Sequence, residues 1–183
     1  MYLFTAGDAA VRKMENTAED KARLLEWLTT PAVIRWVYGE GTPWNLAKVE
    51  EAFGPKLDGG ENATACLIEY AGEAIGYIQF YPLDQDAYCF QDAIPYERVA
   101  GGYGIDLFIG KPALWGKGIG TQIAGEMAAY LFRYHHARVV CADPEETNRR
   151  SLRCWEKAGF IPLGRIPCGD NPAVRCILMA KYG

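Results

Sequence analysis

Tyr103-Gly104-Ile105-Asp106-Leu107-Phe108-Ile109-Gly110-Lys111-Pro112-Ala113-Leu114-Trp115-Gly116-Lys117-Gly118-Ile119-Gly120-Thr121 opens a stretch that runs on to Tyr134. Gly104 to Gly110 reads as a buried strand with one carboxylate, Asp106, inside it. A short connection containing Pro112 follows. Trp115-Gly116-Lys117-Gly118-Ile119-Gly120 then leads into a helix with apolar residues at Ile119, Ile123, Met127, Leu131 and Tyr134. Strand, glycine-rich turn and helix present free backbone N–H groups and a positive helix end to an anion. A carboxylate within an apolar strand is costly unless it has a partner. Asp106 therefore serves chemistry, a structural ion pair, or an outward-facing position on the strand.

Working outward, the upstream half reads as strand, helices and hairpin. Residues 10–14 alternate weakly as a first strand. Asn16-Thr17-Ala18-Glu19-Asp20 has the polar caps and acids of a helix start, with Leu24, Leu25, Trp27 and Leu28 as the apolar side. Pro31 starts a second short helix that stops near Gly39. Thr42-Pro43 marks a third start, with a helix from Trp44 to Phe53, and Gly54-Pro55 and Asp58-Gly59-Gly60 read as loop signals. Ala63 to Tyr70 and Ala74 to Tyr81 form a hairpin around Ala71-Gly72-Glu73. Residues 82–98 carry Asp84, Asp86, Asp92 and Glu97 against the single base Arg98. This acidic loop is either a solvated surface or part of a cation site.

Downstream, Ala137 to Ala142 is a strand. Thr147 or Asn148 caps a helix to Lys157, and Ala158-Gly159-Phe160 closes it with a glycine stop. Strands at about 160–166 and 173–181 flank the turn Pro167-Cys168-Gly169-Asp170-Asn171-Pro172. The order argues α+β, or α/β with a largely antiparallel sheet, with a parallel crossover at 104–142. At 183 residues without repeat or linker, the chain reads as one domain, 1–183.

Composition narrows the partners. A net charge of −4 without a Lys/Arg cluster disfavours nucleic acid and suits a cationic small molecule or an ordinary soluble surface. No apolar run reaches bilayer length, and Met1 to Asp8 lacks the pattern of a signal peptide, so no membrane partner is expected. Six cysteines, none spaced C-x-x-C, and two adjacent histidines make no metal pattern. Reduced thiols in a cytoplasmic protein, monomer or homodimer, are expected.

Two phosphate signatures fail. Gly116, Gly118 and Gly120 give G-x-G-x-G and not the dinucleotide G-x-G-x-x-G, and Lys117 is followed by Gly118 where a P-loop needs Ser or Thr. Lys117-Gly118-Ile119-Gly120-Thr121, with Asn148-x-x-Ser151-x-x-x-Trp155-x-Lys157-x-Gly159-Phe160 some thirty residues later, instead resembles the GNAT superfamily of acetyl-CoA-dependent N-acetyltransferases. Tyr103-Gly104-Ile105-Asp106, Phe108-Ile109-Gly110, the Trp115 to Thr121 turn and Asp143-Pro144 are similar to aminoglycoside 6′-N-acetyltransferases. So are Val37-Tyr38-Gly39 and Gly76-Tyr77-Ile78-Gln79-Phe80-Tyr81.

The resemblance covers essentially the whole chain. It implies a mixed, mostly antiparallel central sheet flanked by helices, with splayed central strands that admit the pantetheine arm beside 105–109. It implies acetyl-CoA as cofactor, held by Leu107, Phe108 and Ile109 of the strand, by Trp115, Gly116, Lys117, Gly118, Ile119, Gly120 and Thr121 of the turn, and by Asn148, Ser151 and Trp155. It places Asp106 at the acceptor amine as the catalytic carboxylate. It implies an aminoglycoside as acceptor, met by Asp143 together with Asp106, Tyr38, Trp36 and the acidic loop.

Two positions depart from the superfamily. Trp155 stands where many members have Tyr, and an indole N–H has no useful acidity toward a thiolate. Trp115 stands where Gln or Arg is usual. Trp155 lines a cofactor channel or is a core aromatic, and Asn148 contacts pantetheine or caps its helix. Lys117, Arg149, Arg150 and Arg153 meet phosphates or are plain surface charge. Trp27, Trp36 and Trp44 are read first as packing residues. Other small amines, such as a siderophore precursor or polyamine, and a non-catalytic CoA-binding role are the competing readings.

Overall fold

The protein's computed structural model describes every residue except 40, 42, 86, 87, 89, 91, 169 and 170, with the backbone alone for 171 and 172. Thr42, Asp86, Cys89, Gly169 and Asp170, which carried parts of the readings above, lie outside the described residues. The fold is mixed α and β, with mostly antiparallel strands. The chain divides into two compact units, Met1–Phe80 with Leu107–Ile123, and Tyr81–Asp106 with Ala124–Gly183.

The first unit begins with β1 (Tyr2–Ala6) and β2 (Ala9–Lys13), a hairpin turned at Gly7, whose φ is 57°. β2 pairs with β3 (Thr64–Tyr70), and β3 with β4 (Glu73–Pro82), all antiparallel. The β3–β4 turn holds Ala71 and Gly72 at φ 50° and 80°, the left-handed pair that matches strand twist in a two-residue hairpin. Between β2 and β3 come α1 (Ala18–Leu28), α2 (Pro31–Val37) and α3 (Leu46–Leu57). Thr17 caps α1 by accepting from the Asp20 amide, and Asn45 caps α3 by accepting from Lys48. The core gathers Leu24, Trp27 and Leu28 of α1, Val49 and Phe53 of α3, and Leu67 and Tyr77 of the strands.

A half-buried ion pair ties α1 to this ladder. The Arg12 guanidinium donates two bonds of 2.8 Å to Asp20, which is 3% exposed, and its Nε donates to Glu69 at 2.8 Å. Burial alone would raise the Asp20 pKa. The Arg12 bonds and the Glu15 amide outweigh it and hold the carboxyl below its ordinary value.

The second unit takes the first half of β5 (Tyr103–Ile109), then β6 (Val139–Ala142), β7 (Ile161–Cys168) and β8 (Asn171–Tyr182). β6 pairs with β8, and β8 with β7, antiparallel. β5 lies parallel to β6, as a strand–helix–strand crossover requires, with α4 (Ile119–Tyr134) between them. The parallel register covers only Tyr103↔Val140 and Gly104↔Cys141, so β5 leaves β6 after Gly104, the expected splay. Ile94, Val99, Val139, Ile166 and Leu178 form this unit's core. α5 (Arg149–Lys157) ends at Gly159, whose φ is 90°.

Two expectations are corrected, and β1 is a strand that the sequence pattern does not announce. Gly54-Pro55 does not end α3, because the proline sits in the last turn, where its missing N–H costs one bond and the helix stops two residues on. The thiols are not all reduced: Cys168 and Cys176, on adjacent strands, are joined in a disulfide, while Cys66, Cys141 and Cys154 lie outside it. No described helix is long and apolar enough to cross a membrane.

Candidate active site

The anion turn is built in the first unit. β5 ends at Ile109, and the Gly110 amide donates to the Ile75 carbonyl of β4 at 2.7 Å. A single 3₁₀ turn, Pro112–Leu114, brings the chain to Trp115. The Trp115 indole Nε1 then reaches back and donates to the Ile109 carbonyl at 2.8 Å. Gly116 and Gly118 follow at φ 77° and 84°, a conformation that disfavours any side chain. A Cβ at either position would meet nothing within 4 Å, so these backbone segments face open space. Gln122 makes the first helical bond, to Gly118, and buried Ile119 anchors the helix start. The first-turn amides of α4 therefore have no helical carbonyl behind them. Open glycines, a helix N-terminus and exposed Lys117 fit a phosphate-bearing group.

The strand leading into this turn is tightly set. Leu107 and Phe108 are half-buried and Ile109 is buried. The Phe108 ring stacks on Tyr77 at 5.6 Å and meets Trp27 edge-on at 6.2 Å. Gly76 is obligatory beneath it: a Cβ there would lie 2.4 Å from the Phe108 carbonyl oxygen.

In the second unit a cleft of about 250 Å³ is lined by Tyr81, Asp84, Tyr88, Phe90, Gly104 and Asp143, among others. Tyr81 lies against the Gly104 backbone so closely that a Cβ at Gly104 would be 2.4 Å from the ring. The Tyr88 hydroxyl donates to the Ile94 carbonyl at 2.9 Å, and that of Tyr96 to Leu83 at 3.0 Å, which fixes the loop around the cleft. Asp143 follows β6, and Asp106 sits half-buried on β5. Burial, and then the charge of Asp106, push the Asp143 carboxyl up to about 7. The two carboxylates thus share one electrostatic environment.

The remaining residues divide clearly. Asn148 caps α5, its Oδ1 accepting from the Ser151 amide at 3.1 Å. Trp155 is 4% exposed and packs edge-on against Phe160 at 5.0 Å, as a core aromatic does. Arg149, Arg150 and Arg153 lie on the exposed side of α5. Tyr38 and Trp36 belong to the first unit and are not among the cleft's lining residues. Tyr38 packs tilted against Trp44 with ring centroids 4.9 Å apart, and Arg35 lies 5.0 Å from the Trp36 ring centroid. Trp27 is buried in the core as read from the sequence. Tyr81 and Gly104 were missed as cleft residues; a glycine two positions before a strand carboxylate was the available signal. Among the described residues no group of His, Cys, Asp or Glu could hold a metal ion.

A strand-to-helix turn of open, left-handed glycines suits a phosphate-bearing ligand. A family model described as "Acetyltransferase (GNAT) domain" matches residues 16–168, and the chain belongs to that family. It is 33% identical over 160 residues, 86% of its length, to aminoglycoside N(6′)-acetyltransferase type 1 of Klebsiella pneumoniae, covering 77% of that relative. The Serratia marcescens protein of the same name matches equally. A crystal structure of aminoglycoside acetyltransferase AAC(6′)-Ib with coenzyme A superposes with a TM-score of 0.77 at 29% identity, covering 95% of this chain and 94% of the other. The same enzyme with ribostamycin and coenzyme A gives 0.79 at 29% identity, covering 96% and 93%.

Proposed function

We propose that the protein transfers an acetyl group from acetyl-CoA to the 6′-amino group of an aminoglycoside, inactivating the antibiotic in a cytoplasmic setting. The carrying observation is the pair Asp106 and Asp143, electrostatically coupled beside an aromatic-lined cleft in a chain one-third identical to such enzymes. Carboxylates and aromatic faces are what a polycationic sugar requires. Acetyl-CoA, when bound, supplies an activated thioester.

The chain's own residues supply the rest. Leu107, Phe108 and Ile109, directly after Asp106 on β5, are assigned to the cofactor arm, with their backbone donors serving the thioester oxygen. Gly116 to Thr121 take its phosphates, with Asn148 and Ser151 at the start of α5 as further contacts. An ammonium must lose a proton before its nitrogen is nucleophilic, and Asp106 accepts that proton directly or through water. The new C–N bond forms as the C–S bond breaks, and the departing thiolate takes a proton from solvent rather than from Trp155.

The test pairs aminoglycosides carrying a 6′-amine with those carrying a 6′-hydroxyl and follows thiol release. Turnover restricted to the 6′-amines is expected. Equal rates on both, or none with any 6′-amine, would overturn the reading.

Asp143 makes the acceptor affinity pH-dependent. The carboxyl attracts a cation only when ionised, so KM for the acceptor should rise as pH falls below about 7 and level off at the KM of a variant without that charge. Asp143→Asn should give a higher KM with that segment flattened. Stability should move the other way. The native state binds the Asp143 proton more tightly than the unfolded chain, so this group costs stability as pH climbs from about 4 to 7. The Asn variant should therefore melt higher than wild type at pH 8, with the gap closing near pH 4.

A further inference from the structure

We propose that Trp115 is a positioning residue for coenzyme A, acting through its indole N–H on the Ile109 carbonyl. The inference rests on the reading of the glycine turn as the phosphate site. The geometry is local and complete. Ile109 closes the strand assigned to the thioester end of the cofactor, and the next amide, Gly110, is pinned to Ile75. Six residues further on, the chain must present the amides from Gly116 to Thr121. Between them lies only one 3₁₀ turn, held by Leu114 to Lys111 and Trp115 to Pro112, each at 3.0 Å. Gly116 and Gly118 are the two most permissive positions in the segment, exposed and in left-handed backbone. Left to themselves, such glycines leave the turn with many conformations, and binding would have to freeze them.

The Trp115 indole removes that freedom on the strand side. It is half-buried, so its 2.8 Å bond is sheltered from competing water. It ties the residue immediately before Gly116 to the last carbonyl of β5. The distance between the two regions that grip one long cofactor is thereby set before the cofactor arrives. A Gln or Arg side chain at this position would offer its polar atoms to the ligand. Trp115 spends its donor on the protein backbone and leaves the ligand contacts to amides.

The test is Trp115→Phe, which keeps the aromatic ring and removes the donor. Calorimetry should show coenzyme A binding weakened about tenfold, the scale of one sheltered hydrogen bond. KM for acetyl-CoA should rise by a similar factor, while KM for the acceptor moves by less than about twofold. Unchanged coenzyme A affinity would overturn the proposal. So would a loss of coenzyme A affinity that comes with an equal loss of acceptor affinity and a lowered melting temperature, since that marks a structural role. If the variant does not fold, the wild-type indole proton decides. Coupling is reciprocal, so saturation with coenzyme A should slow its exchange about tenfold. An unchanged exchange rate would overturn the proposal. Wild-type calorimetry without any coenzyme A binding would instead remove the phosphate-site reading itself.

Discussion

Replacing Asp106 by Asn is expected to lower kcat for acetyl transfer by about two to three orders of magnitude while coenzyme A affinity stays within about twofold of wild type. The substitution keeps the shape of the side chain and its place on β5 and removes only the charge and the proton-accepting oxygen. The anion turn from Gly116 to Thr121 is untouched, so the calorimetric affinity for coenzyme A has no reason to change. Acceptor binding changes in a defined direction. The charge of Asp106 is one of the two causes that hold the Asp143 carboxyl near 7. Without it, Asp143 ionises at lower pH, and the acid-side rise in acceptor KM should shift to lower pH with it. One variant thus separates chemistry from binding. A kcat within threefold of wild type would end the assignment of Asp106 as proton acceptor. A normal kcat with an unshifted KM profile would also end its coupling to Asp143.

Much of this site was legible in the sequence because it depends on local chain geometry. The order strand, glycine turn, helix needs only the apolar run to Gly110, the glycines at 116 and 118, and the helical spacing from Ile119. Asn148 declared itself in the same way: a short polar side chain three residues ahead of a helical amide is a cap whatever the tertiary context. The hairpin turn at Ala71-Gly72 is equally local.

What sequence concealed is what depends on distant residues. Tyr2 to Ala6 alternates too weakly to declare a strand, and it becomes one because β2 offers an edge to pair with. The Cys168–Cys176 bond follows from β7 and β8 lying side by side, which their eight-residue separation does not announce. Trp155 could equally have faced a ligand until Phe160 was seen against it. Asp143 is named from the sequence as an acceptor contact, but its raised titration follows only from burial and from the charge of Asp106. Tyr81 and Gly104 are separated by an entire loop, and their contact exists only once β4 and β5 are in place.

Gly110 is the clearest such case, and Gly110→Ala should be strongly destabilising. The residue closes the strand that opened the sequence reading, where it passes for a routine strand-ending glycine. In the structure a Cβ at this position would stand 2.1 Å from Cγ of Trp27 and 2.4 Å from both Cδ atoms. Trp27 cannot retreat. It is 1% exposed and fixed among Leu24, Leu28 and Phe108. Nor can the backbone yield freely, because the Gly110 amide is bonded to Ile75 and the preceding carbonyl accepts from Trp115. Relief requires the ring to turn into its neighbours or β5 to lift from the core. Overpacking of this kind costs about 3 kcal/mol. For a chain of this size that corresponds to a melting temperature lower by about 10 °C. The cause is testable by a cycle with Trp27→Leu, which empties the space a Cβ needs. In that background Gly110→Ala should cost less than about 1 kcal/mol. An equal cost in both backgrounds would mean that the backbone, and not the indole ring, excludes the methyl group.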